Sequence, residues 1–244
     1  MPNLGLGIQT TKSGIVLASH VTDNLKMLHR YNTGSVVPVS DGAAYFDGSS
    51  DINITAVKDS LTTECTLGAW IMRTDTGAGE IFSSTDGNYY RLFIYADNSN
   101  DWASWFAADN ADIVSTDQIP QNTWTYITTT FSKTGNAQKN YRDGVLITSG
   151  TMSNDPTVPS SNYEIGKDFA GYICNAGIWA RALSQDEIKS VMWKSYSDLT
   201  GDASSGEKQN LISWYNLDVE TNTSGESGTG GVKDSHGTNH GTLA

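Results

Sequence analysis

Short apolar segments that alternate with polar residues recur about every ten residues over the middle of this chain. In the segment 124–131, WTYITTTF, β-branched and aromatic residues alternate. The segment 65–72, CTLGAWIM, is instead a nearly continuous apolar run, too short for a stable helix, and it predicts a strand buried on both faces. Asp143 and Gly144 stand between two strand-like runs, which is the strongest short-range signal for a β-hairpin. The pattern therefore predicts many antiparallel strands.

Further segments carry the same kind of pattern. The stretch 43–55, AAYFDGSSDINIT, predicts two strands around a Gly-Ser turn, with Ile52 and Ile54 on one face. GEIFSS and YYRLFIYA predict an antiparallel pair around an Asp-Gly turn. DWASWFA predicts the next strand, and the strand after it ends at Pro120.

One segment changes to a helical period. The strand-like residues 171–180, GYICNAGIWA, are followed by Ser184 and Glu187, which have the spacing of a capping box. An apolar stripe then follows at spacings of three and four residues: Ile188, Val191, Met192. No other part of the chain has a strong helix signal. The predicted fold class is therefore all-β, an antiparallel two-sheet sandwich with one short helix towards the C-terminus.

The composition agrees with a large strand-rich domain. The chain has 244 residues, with 7 Trp, 11 Tyr and 6 Phe for a core and 24 Gly for turns. Its net charge of −12 and its lack of Lys and Arg clusters exclude nucleic-acid backbones and anionic membrane surfaces as partners. No apolar run reaches the roughly 18 residues of a membrane span and no secretory signal is visible, so we expect synthesis in a cytoplasm. Cys65 and Cys174 are interpreted as buried thiols, with a disulfide as the alternative if their strands are neighbours.

The order of these motifs resembles that of the laminin-G-like jelly roll of the concanavalin-A-like lectin and glucanase superfamily, of the kind found in phage structural proteins. The resemblance covers residues 43–196 and rests on six segments in the family's order: AAYFDGSSDIN, TLGAWIM, EIFSS, NTWTYITTTF, NYRDGVLI, GYICNAGIWARALSQDEI. It implies a jelly-roll sandwich whose concave face is a common glycan site in relatives. It does not imply an enzyme, because glycosidases of this fold resemble one another in a Glu-x-Asp-x-Glu strand. This chain has no such triplet.

Four aromatic residues are the candidates for a sugar platform, because flat rings pack against the apolar faces of pyranoses: Trp102, Trp105, Tyr89, Tyr90. The two Trp side chains of this set project to opposite faces of a strand, so at most one of them can share a platform with a given Tyr. Core packing is the competing role. Trp70, Trp124 and Trp179 lie in the most apolar strands and are predicted to be core residues.

No motif requires a cofactor, but a calcium ion is a candidate ligand. Relatives of laminin G domains often bind Ca²⁺ through Asp residues at the rim, and calcium prefers such oxygen ligands. The candidates are Asp97, Asp101, Asp109, Asp112, with a solvated acidic loop as the alternative. His236 and His240 stand at helical spacing, but the glycines of DSHGTNHG forbid a helix, and the pair is typical of a loop.

The chain divides in sequence into four parts. These are an N-terminal arm at 1–42 that could anchor the protein, the jelly roll at 43–196, a polar linker at 197–209 and a C-terminal part at 210–244. The C-terminal part resembles the opening of a laminin-G-like domain, although it stands at the other end. We expect it to supply missing strands to the same jelly roll or to that of a neighbouring subunit, because an unpaired sheet edge promotes aggregation.

Two hypotheses of function follow. The first is a non-enzymatic virion surface protein, a phage capsid decoration or a head-fibre or tail-fibre component. It would form a homo-oligomer or bind other virion proteins, and it could bind a cell-surface glycan. Its basis is the absence of catalytic motifs and of a signal peptide, together with the acidic composition. The alternative is a free carbohydrate-binding module that uses the concave face of a sheet.

Overall fold

This computed structural model describes the following residues, the first two segments as backbone alone: 8–11, 14–17, 39–40, 42–54, 57–60, 64–84, 91–94, 101–106, 113–151, 163–218, 231–244. Residues 1–38 form one unit and residues 39–244 form a second. In the first unit, strands β1 (Ile8–Thr11) and β2 (Gly14–Leu17) form an antiparallel hairpin.

The second unit consists mainly of strands. In chain order they are β3 (Ala44–Asp47), β4 (Ile52–Ile54), β5 (Glu64–Arg73), β6 (Gly79–Ser84), β7 (Arg91–Ile94), β8 (Trp102–Trp105), β9 (Ile113–Ser115), β10 (Thr125–Ser132), β11 (Ala137–Arg142), β12 (Val145–Thr151), β13 (Tyr163–Ile165), β14 (Ala170–Trp179), β15 (Gly201–Asp202), β16 (Ser205–Gly206), β17 (Leu211–Tyr215), β18 (Gly231–Val232) and β19 (Gly241–Leu243). Helix α1 spans Gln185–Val191, and short 3-10 helices span Val57–Ser60 and Tyr196–Asp198. None of the described helices is long and apolar enough to cross a membrane.

The strands form two antiparallel sheets that pack face to face. The seven-stranded sheet has the order β12-β11-β10-β5-β14-β17, and β3 also pairs with β14. The eight-stranded sheet has the order β18-β19-β4-β13-β6-β7-β8-β9. The predicted fold class, an all-β two-sheet sandwich with one short helix, is confirmed.

The hydrophobic core lies between the two sheets. From the seven-stranded sheet, alternate residues of β5 and β10, such as Leu67, Ile71 and Phe131, point into it. From the other sheet, Ile52 and Ile54 of β4 enter the core on one face, as their spacing predicts. Strand β5 is buried on both faces, as its continuous apolar run predicts.

The predicted hairpin at Asp143 and Gly144 joins β11 to β12. Both turn residues have positive φ angles, 50° and 73°, which a two-residue hairpin of this kind requires. The Asp143 carboxylate also accepts a hydrogen bond from the backbone N–H of Tyr126 at 2.9 Å, and this bond ties the turn to β10.

Helix α1 covers the outer face of the seven-stranded sheet. Ser184 is its N-cap, and the predicted capping box with Glu187 is present. Ile188 and Val191 are buried beneath it. The helix is tied to the sheet at its end, where Trp70 Nε1 donates to the carbonyl oxygen of Met192 at 2.6 Å.

The stretch 197–209, predicted to be a polar linker, folds against the helix instead. Strands β15 and β16 form a tight hairpin there, and Glu207 directly after it is buried. One carboxylate oxygen of Glu207 accepts hydrogen bonds from Ser190 Oγ at 2.6 Å and Lys194 Nζ at 2.5 Å. The other accepts from Thr200 N at 2.8 Å and Thr200 Oγ1 at 3.1 Å. The linker prediction was wrong because a buried carboxylate with four donors fixes a segment that looks polar in sequence.

These contacts predict a pH dependence of stability. Burial alone would raise the pKa of Glu207, but the hydrogen bonds from Lys194, Ser190 and Thr200 outweigh it and lower the pKa from 4.5 to about 2. The ionised Glu207 therefore stabilises the fold above about pH 4.5, and this contribution is lost as the pH falls towards 2. We expect Glu207→Gln to lower the free energy of unfolding at pH 7 by about 2–3 kcal/mol. The difference between the variant and the unmodified protein should shrink by pH 3 in urea unfolding curves. A difference that does not change with pH would contradict the assignment.

Residues 210–244 contribute strands to both sheets of the same chain. Strand β17 pairs with β14, and β19 pairs with β4. The indole rings of Trp214 and Trp179 are fully buried and pack edge to face, with their centroids 5.9 Å apart. The tail is thus part of the sandwich in this structure.

The two cysteines are both free and buried. Their strands β5 and β14 are neighbours, but the register pairs Cys174 with Trp70, five residues from Cys65 along β5. That offset is about 17 Å, which is too far for a disulfide. Burial raises the pKa of both thiols. The prediction of two buried thiols is confirmed.

Candidate functional site

The two tryptophans predicted for a sugar platform lie on opposite sides of β8. Trp102 is fully buried in the core between the sheets, where its Nε1 donates to the carbonyl oxygen of Asp117 at 3.1 Å. Its prediction as a sugar contact is therefore wrong, because no face of the ring is open to a ligand. Trp105 is half-buried on the outer face of the eight-stranded sheet. Tyr89 and Tyr90 lie outside the described residues.

Three of the four predicted calcium ligands lie outside the described residues: Asp97, Asp109 and Asp112. Asp101 is half-buried and directly precedes β8. The described residues contain no group of three or more His, Cys, Asp or Glu side chains that could hold a metal ion. The calcium site stays a prediction.

A row of polar side chains crosses the outer face of the eight-stranded sheet. The strand register places Asn53 of β4, Glu164 of β13 and Ser83 of β6 side by side. Glu164 forms an ion pair with Lys167 at 3.3 Å, and Ser83 Oγ lies 3.5 Å from a Glu164 oxygen. Burial raises the pKa of Glu164, and the positive charge of Lys167 opposes this shift.

The row continues into a cluster of charged and aromatic side chains on β6, β7 and β8. Arg91 and Trp105 are register partners, and Glu80 is the partner of Phe93. The Arg91 guanidinium carbon lies 4.4 Å from the centroid of the Phe93 ring and 5.8 Å from that of the Trp105 ring. Arg91 Nη2 forms an ion pair with Glu80 Oε1. The guanidinium thus lies against two aromatic rings and a carboxylate.

Two polar atoms of this cluster are left without partners. Arg91 Nε and Glu80 Oε2 are both buried, and neither has a hydrogen-bond partner among the described residues. Unpaired buried donors and acceptors are costly and call for an explanation such as a ligand. An unpaired donor and an unpaired acceptor match sugar hydroxyl groups, which can accept from the first and donate to the second.

Glu80, Arg91 and Phe93 are not among the site residues that the sequence pattern predicts. The signal that could have found them is the pairing of β7 with β8. Since Arg91 and Phe93 are two residues apart, they share a face, and the short connection places that face beside Trp105. The amino-acid sequence alone does not fix the register of β6, β7 and β8, so the cluster is not predictable from composition.

The remaining predicted tryptophans occupy the other sheet. Trp70 and Trp179 are buried, as predicted, but on the outer face of the seven-stranded sheet rather than in the core between the sheets. They are covered by α1 and by the segment around Glu207. Trp124 is only half-buried, so its prediction as a core residue was wrong.

The family of the chain follows from comparison with known proteins. Residues 46–189, more than half of the chain, match the laminin-G-like profile of the concanavalin A-like lectin/glucanases superfamily. The chain therefore belongs to this family. A search of curated protein sequences found no match.

Solved structures with the same fold include carbohydrate-binding proteins. A Bacteroides ovatus protein, to which carbohydrate binding is provisionally ascribed, matches at a TM-score of 0.67 and 18% identity over 85% of this chain. This chain spans 59% of that protein's length. Domain 4 of a GH43 extracellular arabinanase from Geobacillus stearothermophilus, solved with arabinotriose, matches at a TM-score of 0.53 and 20% identity, over 65% of this chain and 82% of that domain. The CBM40 module of Ruminococcus gnavus IT-sialidase, bound to α2,3-sialyllactose, matches at a TM-score of 0.50 and 14% identity. The match covers 62% of this chain and 96% of the module. Because all three sequence identities are low, the similarity to these structures shows a shared fold and no more.

Proposed function

We propose that this protein is a non-enzymatic carbohydrate-binding module that binds a glycan on the outer face of its eight-stranded sheet. The observation that carries the proposal is the Glu80–Arg91 pair beside the Trp105 ring, with one buried donor and one buried acceptor left unpaired. The family and the similar carbohydrate-binding structures support this function.

Each part of the cluster has a role in this proposal. The half-buried Trp105 ring receives the apolar face of a sugar, since an indole offers a flat surface with low conformational freedom. Arg91 Nε donates to one sugar hydroxyl, and Glu80 Oε2 accepts from its neighbour. Ser83 and Asn53 extend the polar row along the sheet. Aromatic contacts with a few placed polar groups are the usual composition of a small-ligand site.

The charges of this face favour a neutral glycan over a sialylated one. Arg91 and Lys167 are the cations of the cluster and of the polar row, and each is already paired with a carboxylate. An acidic sugar would therefore meet no unpaired cation there among the described residues, and it would approach a chain with a net charge of −12. Glu80 and Glu164, the carboxylates of the cluster and of the row, are likewise held by cations, which fits binding better than acid–base catalysis.

Nothing among the similar structures or in the described site favours the virion surface role, so we do not propose it.

We expect Trp105→Ala to weaken glycan binding by at least about tenfold, because the ring supplies the stacking surface. The unmodified protein should first be screened on an array that holds neutral and sialylated glycans, and its best ligand then titrated by calorimetry. Trp193→Ala is the matched control. Trp193 is 58% exposed and packs on Trp70 on the outer face of the other sheet, so its loss should leave this affinity unchanged.

Two outcomes would contradict the proposal. One is an array without neutral glycan ligands. The other is a ligand whose affinity is the same in the Trp105→Ala variant and the unmodified protein, with both proteins folded by circular dichroism. Release of shorter sugars during the titration would instead indicate an enzyme.

A further inference from the structure

A row of aromatic side chains crosses the outer face of the seven-stranded sheet, on the side of the molecule opposite the Trp105 cluster. It consists of Tyr45, Tyr172 and Trp124. The ring centroids of Tyr45 and Tyr172 are 5.1 Å apart, and those of Tyr172 and Trp124 are 6.5 Å apart. Tyr45 is 59% exposed, and the other two residues are half-buried.

The strand register explains why these rings form a row. Tyr45 of β3 pairs with Tyr172 of β14, and Tyr172 pairs with Met72 of β5. Trp124 directly precedes β10, whose first residue Thr125 pairs with Ile71. The row thus runs across the sheet at one level, with β5 between β14 and β10, and its ring centroids are 5.1 Å and 6.5 Å apart. The length of one sugar residue in an extended glycan is similar to the distance between neighbouring rings of this row.

The row is amphipathic rather than simply apolar. Two of its rings carry hydroxyl groups, and the third carries an indole N–H. Trp124 Nε1 is buried and has no hydrogen-bond acceptor among the described residues. A ligand rich in hydroxyl groups would supply that acceptor, whereas an aliphatic partner would leave the donor unpaired.

We infer that the row formed by Tyr45, Tyr172 and Trp124 is a second glycan-binding surface, which takes a single chain of a neutral polysaccharide. The inference takes its class of ligand from the proposed function, but it does not depend on the Trp105 site. Neighbouring rings are tilted by 52° and 55° to one another, so they cannot all lie flat on a crystalline polymer surface. They fit a twisted soluble chain instead.

A second copy of the protein fits this surface less well. Each copy carries a net charge of −12, so association between copies is opposed by repulsion that a neutral glycan does not meet. Three rings also make a smaller contact than the roughly 800 Å² per partner of a stable protein interface.

Two glycan surfaces on opposite faces make the chain bivalent. Bivalence can be measured separately from binding, as cross-linking of a soluble polymer. A bivalent monomer cross-links a soluble polysaccharide and makes its solution turbid, whereas a monovalent one does not. The probes are soluble galactomannan, arabinan and hydroxyethyl cellulose, tested by turbidity and by retardation in native gels that contain each polymer. We expect Tyr45→Ala to abolish turbidity and to reduce retardation at least twofold. Tyr45→Phe should retain both, because the ring is kept.

The variants separate this inference from the proposed function. If Tyr45→Ala behaves as the unmodified protein while Trp105→Ala loses retardation, the second surface is wrong and the first stands. If Trp105→Ala has no effect while Tyr45→Ala abolishes retardation, the proposed function of the first face fails and the second surface stands. Light scattering without polymer must give a monomer, because turbidity from a dimer that Tyr45→Ala dissociates would overturn the inference. Absence of retardation on all three polymers would also overturn it.

Discussion

Truncation after Gly206 should prevent the sandwich from folding. The truncation removes β17, whose side chains Leu211, Ile212, Trp214 and Tyr215 are buried, and it removes β19 from the other sheet. Each large apolar side chain contributes about 1.5–3 kcal/mol on burial, so the four together contribute about 6–12 kcal/mol. That is comparable with the entire stability of a typical domain, about 5–15 kcal/mol. We expect no cooperative thermal transition in circular dichroism.

Deletion of residues 1–38 is the matched control, since it removes the same number of residues from the other end. Those residues form a separate unit, so the melting temperature of the sandwich should change little. An unchanged melting point after truncation at Gly206 would contradict the strand pairing described above. Light scattering of the full chain distinguishes a tail that pairs within its own chain, which gives a monomer, from one donated to a neighbour.

Asp234→Ala should lower the free energy of unfolding by about 3–5 kcal/mol. The Asp234 side chain is buried, and its carboxylate accepts hydrogen bonds from three backbone N–H groups. These belong to Trp214 at 3.0 Å, His236 at 3.0 Å and Asn239 at 3.2 Å. Alanine leaves all three donors without an acceptor, at a cost of about 1–3 kcal/mol for each that is buried. For a chain of this size we expect the melting temperature to fall by about 10 °C.

Asp234→Asn is the graded control for this prediction. Its amide keeps the oxygen that accepts from Trp214 and His236, but it replaces the oxygen that accepts from Asn239 with a donor. We expect about half the loss of the alanine variant in urea unfolding. Equal stability of all three proteins would show that this carboxylate does not hold the tail.

The DSHGTNHG segment thus has a structural role. Asp234 joins the tail to β17 through Trp214, and Asn239 Nδ2 donates to Ser213 Oγ at 2.9 Å on the same strand. Tyr196 Oη lies 3.2 Å from His236 Nδ1, which adds a contact to the segment after the helix. The interpretation of the two histidines as loop residues agrees with these contacts.

Local features of the fold were predictable because their causes are local. The capping box at Ser184 and Glu187 and the turn at Asp143 and Gly144 depend on residues a few positions apart, and both are present. Strand β5 was predictable because burial on both faces leaves a continuous apolar run.

Long-range features were not predictable from the sequence. Strands β3 and β4 are separated by a short turn, yet they belong to different sheets, because each finds its partner more than 100 residues further along the chain. Glu207 looks like a residue of a polar linker, and only the approach of Ser190, Lys194 and Thr200 explains its burial. Such contacts depend on tertiary packing, which composition does not encode.

The candidate site was predicted in part, for the same reason. The odd spacing of Trp102 and Trp105 placed them on opposite faces, but it could not say which face is buried. The packing of the two sheets decides this, and it buries Trp102. The partners of Trp105 come from β6 and β7, and their positions depend on the register of three strands.

The most direct test of the proposed function is a crystal structure of the protein with a neutral oligosaccharide that it binds. We predict a sugar ring stacked on the Trp105 indole, with adjacent hydroxyl groups within hydrogen-bond distance of Arg91 Nε and Glu80 Oε2. An oligosaccharide held elsewhere, with Trp105 and the Glu80–Arg91 pair untouched, would contradict the account.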